Sequence, residues 1–272
     1  MSGTPWVHAD RVRVLRAEWT KLRSVSSSLR LLLACAAAMV LVGALTVGAV
    51  DTSRCPTPAE CFEDTAELSL GGVRVGQVAV ILLAVFVIGN EYATGMVRTT
   101  LTARPGRVNF VFGKAVVIAG TVAVAGTVGV AGSLLAGRLI LPGNGFTAEN
   151  GYPAISVTDG PTLRAAFGTV VYLVLIALLA LGLGAALRDS AGAAAVTLTV
   201  LFIVPVITQI VADPDWQDRL ERYAPMSAGL SIQATRDLAH LPISPWAGLG
   251  VTAAWAAASL LVGTLRVTRR DP

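Results

Sequence analysis

Six apolar stretches alternate with short polar segments along the 272 residues of the chain. A helix needs roughly 20 mostly apolar residues to cross a bilayer. The stretches near 31–50, 71–89, 111–136, 165–187, 191–211 and 246–266 have that character. The second carries Arg74 and Gln77 near its start, where the arginine can snorkel to the headgroups. Only Arg188-Asp189-Ser190 separates the fourth from the fifth. Their combined length far exceeds one crossing, so a tight hairpin is predicted. The run Leu31–Val50 has no convincing cleavage signature and reads as a retained helix, not a signal peptide. The expected fold is an all-α membrane protein. One domain spans 1–272, with six transmembrane helices behind an amphipathic N-terminal segment, residues 1–30.

Composition agrees. Hydrophobic residues make up 54% of the chain and charged residues 14%, where a soluble domain carries about 25% charged. A net charge of +4 does not argue for nucleic acid, because the basic residues flank the apolar stretches. With the N-terminus inside, the inner segments hold fourteen of the 21 Lys and Arg residues and the outer segments seven. That bias places both termini in the cytoplasm of a multi-pass plasma-membrane protein. Cys55 and Cys61 then share the first outer loop, 51–70, on the oxidising side. They read as a disulfide, with two free thiols as the alternative. Cys35 lies within the first span as a small packing residue. Gly129, Ser133 and Gly137 follow a small-xxx-small pattern, and Gly182 and Gly184 thin the fourth span. Such residues let helices approach closely, within one subunit or between two.

Candidate chemistry is sparse. No position read as buried within a span carries Asp, Glu, Lys, Arg or His, Lys114 being placed at an inner end. This argues against a proton-driven carrier. His8 and His240 fall outside the spans on opposite sides, so no catalytic or metal site is expected. The nearest approach to a phosphate-binding loop, Gly106 to Gly113-Lys114-Ala115, has the wrong spacing and lacks the Mg²⁺-binding hydroxyl. The chain is not expected to hydrolyse ATP itself.

Two polar segments stand out on the inner side. In residues 11–24, Val12, Leu15, Trp19 and Leu22 recur at helical spacing, with Arg11, Arg13, Arg16, Lys21 and Arg23 on the other faces. Such a basic amphipathic helix suits the headgroup region. The second segment, Asn90 to Lys114, leaves the second span at Glu91-Tyr92 and continues through Thr94-Gly95, Arg98 and Thr100-Leu101. On residues alone, a lipid anchor and a plain positive-inside loop account for both. On the outer side, residues 213–222 are charged and suit a short helix. Tyr223-Ala224-Pro225-Met226-Ser227-Ala228-Gly229-Leu230 follows before the last span.

In this order the segments resemble ABC-2 type permeases, the membrane subunits of ATP-binding cassette transporters. Residues 15–24, with Arg16, Glu18, Trp19 and Lys21, are similar to the family's N-terminal elbow helix. Glu91-Tyr92, Thr94-Gly95, Arg98 and Thr100-Leu101 match its coupling segment: an acid-Tyr pair, Thr-Gly, a basic residue, Thr-Leu. The stretch 223–230 looks like the family's re-entrant extracellular helices, and equally suits an ordinary surface loop. The resemblance implies a bacterial cell-membrane permease that pairs with a second permease subunit, the same chain or a paralogue. A separate ATPase subunit would carry ATP and Mg, with no cofactor on this chain. Export of an amphiphilic or hydrophobic substrate, such as a drug, antibiotic, peptide or lipid, is the implied function. The alternative is a non-transporting component that couples the ATPase to signalling or cell-envelope processes.

Overall fold

The computed structural model describes residues 15–23, 26–55, 57, 60, 63–96, 107–152, 154–156, 158–208 and 210–269. Among these the regular secondary structure is helical, and six helices are long and apolar enough to cross a membrane. A short helix, α1, covers residues 15–23. Next come α2 (Ser26–Ala49), α3 (Thr65–Leu70), α4 (Val73–Ala93), α5 (Arg107–Ile140), α6 (Gly160–Leu187) and α7 (Ser190–Thr208). Two short helices, α8 (Pro214–Tyr223) and α9 (Pro225–Leu230), precede α10 (Pro245–Arg269). The long helices alternate in direction. One end of the bundle therefore gathers α1, the α4–α5 connection, the α6–α7 turn and the end of α10. The other gathers the three longer loops.

The predicted spans sit within or beside these helices, with shifted ends. The second differs most. It is preceded by α3, and α4 runs through Asn90, Glu91, Tyr92 and Ala93 before Thr94 caps it. Those four residues are thus the last turn of a long helix, not the start of a loop. Thr94 Oγ1 donates to Asn90 O at 2.7 Å, and Gly95 follows at φ +68°, the left-handed geometry that ends helices. The hairpin between spans four and five is present. α6 stops at Arg188 in a left-handed conformation, and α7 restarts at Ser190.

α4 and α6 are the most enclosed of the spans and form the centre. Small residues set the spacing. A side chain at Gly72 or Gly76 would strike Met39 of α2, and one at Gly182 would strike the Ser259–Leu260 backbone of α10. Gly129 lies against Met39 and Gly137 against Ser69. These glycines all serve packing within the chain.

At the loop-rich end, Asp64 caps α3 by accepting from Ala66 N and Glu67 N, both at 3.1 Å. It also accepts from the backbone N–H of Thr235, and from Thr235 Oγ1 at 2.8 Å. One carboxylate thereby ties the start of the second span to the segment before the last. α9 is buried: Thr252 Oγ1 of α10 donates to Pro225 O at 2.9 Å, and Gln77 Nε2 of α4 donates to Met226 Sδ at 3.3 Å. Gln77 also accepts from Tyr172 OH at 2.6 Å, so this buried amide is paired inside the bundle. The charged stretch 213–222 forms α8, capped by Asp213. Cys55 is disulfide-bonded and Cys35 is free and buried. Cys61 lies outside the described residues.

Candidate functional site

The most unusual feature is a knot of four charges where α1, α4 and α5 meet. Lys114 reaches it from α5, seven residues past Arg107 and therefore about 10 Å along the helix. Its side chain is 1% exposed. Lys114 Nζ donates to Glu91 Oε1 at 2.7 Å and to Glu18 Oε2 at 2.8 Å. Lys21 Nζ closes the ring, donating to Glu91 Oε1 at 2.9 Å and Glu18 Oε1 at 3.1 Å. The formal charges cancel. Phe110, one turn before Lys114, lies under its ammonium at 4.9 Å from the ring centre.

This corrects the expectation that no span carries a buried ionisable group. Lys114 and Glu91 are both buried inside span helices. Their signs are opposite and their helices adjacent, so the charge is matched locally. Ion desolvation costs several kcal/mol per group, and close partners are what offset it. For Lys21, outside the spans, burial alone would lower the pKa. The carboxylates of Glu91 and Glu18 outweigh burial and hold it above the ordinary lysine value.

A charge helps to set which side of α1 faces the bundle. Glu18 and Leu22, four residues apart, are buried, while Arg16, Trp19 and Arg23 point outward. Trp19 is thus on the exposed face, and the buried stripe includes a charge. The elbow candidates divide accordingly: Glu18 and Lys21 join Glu91, whereas Arg16 and Trp19 do not. Among the coupling candidates, Glu91 turns inward to Lys114 and Lys21. Tyr92 is half-buried beneath the Arg188 guanidinium, 5.6 Å from its ring centre. Thr94 and Gly95 are exposed at the helix end. Arg98, Thr100 and Leu101 lie outside the described residues.

Three further arginines at this end bind helix carbonyls. Arg107 Nη1 donates to Val267 O and Thr268 O, each at 3.1 Å, and Arg266 Nη1 to Ala186 O at 3.0 Å. Arg188 Nη2 donates to Arg266 O at 3.3 Å. Cations at helix C-termini satisfy the last carbonyls and complement the helix dipole. Part of the basic bias noted in the sequence thus has a local structural use.

Beside the charge knot lies a cavity of about 340 Å³. Glu18, Lys21, Glu91 and Lys114 line its polar side, and Leu31, Leu83, Val87, Val117 and Ile118 its apolar side. Glu91 Oε2 is buried and has no hydrogen-bond partner among the described residues. Sequence reasoning missed the Glu18–Lys114 pairing. The available signal was a single acid in a basic helix, together with opposite charges at the facing ends of consecutive spans. Among the described residues no cluster of His, Cys, Asp or Glu could hold a metal ion.

No protein-family model matches this chain, and no curated protein matches it. The class that the observations support is a multi-pass integral membrane protein, with six helices among the described residues long and apolar enough to cross a bilayer.

Proposed function

We propose that this chain is the permease subunit of an ATP-driven transporter of the ABC-2 type, most simply an exporter of amphiphilic or hydrophobic molecules. The observation that carries the reading is the charge knot. It joins the elbow-like helix to the end of α4 and the start of α5, the two helices that flank the coupling-like segment. A partner pressing on Thr94, Gly95 and the following residues would move α1, α4 and α5 together, because their separation would strand buried charges. Coupling in this reading divides into two parts. Thr94, Gly95 and Arg98 meet the ATPase, while Glu91 with Lys114, Glu18 and Lys21 transmits the motion. In this reading, which the basic bias supports, this end faces the cytoplasm and α9 serves as a cap on the opposite side. A second permease subunit completes the substrate path.

The buried, internally paired Glu91 also suits a non-transporting component that passes an ATPase stroke into the bilayer. Inside-out vesicles separate the two. With the partner ATPase present, the transport reading expects ATP-dependent accumulation of a hydrophobic dye. Hydrolysis without accumulation of any amphiphile tested would support the signalling reading instead.

A further inference from the structure

The cavity beside the charge knot is amphipathic in its lining and opens at the bundle surface. α2 and α4 are pressed together where Gly72 and Gly76 meet Met39. About two turns past Gly76 along α4 the cavity begins at Leu83, with α5 as its back wall. Phe86 and Asn90 are exposed at its edge, on the side that lipid would surround. Glu91 lines its polar side and is 6% exposed. Its Oε1 receives both lysines, whereas its Oε2 receives nothing among the described residues. Buried polar atoms are normally paired, so this oxygen is a vacant acceptor. The terminal torsion of a glutamate is soft, so the carboxylate can turn to present Oε2 to a donor in the cavity.

We propose that the cavity binds an amphiphile with a primary ammonium head, supplied by an aminophospholipid of the surrounding bilayer. Its N–H groups would donate to Glu91 Oε2, and an acyl chain would lie along Val87 and Val117. Lys21, 34% exposed on the same wall, is placed to attract the phosphate. Charge selects the class. A zwitterionic head adds no net charge to the site, whereas a bare fatty anion would add negative charge next to Glu91. A choline head carries the same charge as ethanolamine but has no N–H to give, so it leaves Oε2 unpaired. The inference does not depend on whether the chain transports anything.

The test uses the full chain in nanodiscs of equal phosphatidylethanolamine and phosphatidylcholine with identical acyl chains, released for native mass spectrometry. One phosphatidylethanolamine per chain should be retained, at least fivefold over phosphatidylcholine. The N-methyl and N,N-dimethyl analogues keep an N–H and should compete for the site. Val117→Phe fills the apolar side without touching the charges and should abolish retention in protein that still elutes as a single species. Glu91→Gln should reduce the preference to about unity. Equal retention of both lipids by the unmodified chain would overturn the proposal. So would retention unchanged by Val117→Phe, or phosphatidylglycerol held as strongly as phosphatidylethanolamine.

Discussion

Replacing Lys114 by Met tests the energetics of the charge knot. The substitution keeps an unbranched side chain and removes one ammonium. Glu18 and Glu91, 7% and 6% exposed, then share Lys21 alone. Two contacts vanish, at 2.7 and 2.8 Å. Breaking a buried ion pair from one side costs about 3–5 kcal/mol, because the stranded charge stays desolvated. For a chain of this size each kcal/mol shifts the midpoint by about 2–4 °C. The expected loss is therefore roughly 6–20 °C. Cys35 is a built-in reporter. Its thiol is 1% exposed, the free cysteine among the described residues, and should react with a maleimide dye only on unfolding. Neutralising the partners as well, in Lys114→Met/Glu18→Gln/Glu91→Gln, should recover more than half of the loss. If Lys114→Met melts within about 1 °C of the parent, the knot is not a buried, mutually dependent unit and the reasoning fails.

Other expectations follow from the same geometry. An impermeant thiol reagent on intact cells should label Glu149→Cys and Asp218→Cys but not Thr94→Cys; labelling of Thr94→Cys would reverse the proposed orientation. Gly182→Leu should collapse the yield of monodisperse protein, since a side chain there meets the backbone of α10, while Gly120→Ala, with open space around it, should express normally. The contribution of Lys21 should not vary between pH 6 and 9. Its pKa is raised above 10.5, so that contribution is complete below the unfolded value and fades only as pH climbs through the folded one. A melting difference between Lys21→Met and the parent that changes across that range would contradict the assignment.

The architecture was largely legible from hydropathy, because bilayer thickness dictates span length and leaves few alternatives. Helix ends were less so. Asn90-Glu91-Tyr92 looks polar enough to be a loop, yet Glu91 stays helical because Lys114 and Lys21 neutralise it. The bundle-facing side of α1 was hard to read for a related reason. Trp19 and Leu22 suggest an apolar stripe, but the decisive burial is that of Glu18, whose partner is 96 residues away in sequence. Periodicity within one helix cannot register such a contact. For 223–230 the sequence left a re-entrant helix and a surface loop equally open, since the burial of Pro225–Leu230 depends on Thr252 and Gln77 from distant helices.

The central claim is that an ATPase docks at the end of the bundle bearing the α4–α5 connection. The most direct measurement is affinity purification of the tagged full chain from its own host, with nucleotide hydrolysis assayed in the eluate. The account predicts a stoichiometric ATPase that is lost with Thr94→Arg, at the exposed end of α4, and retained with Asp218→Ala at the opposite end. An eluate with no ATP-hydrolysing polypeptide, or one whose ATPase ignores Thr94→Arg and responds to Asp218→Ala, would contradict it.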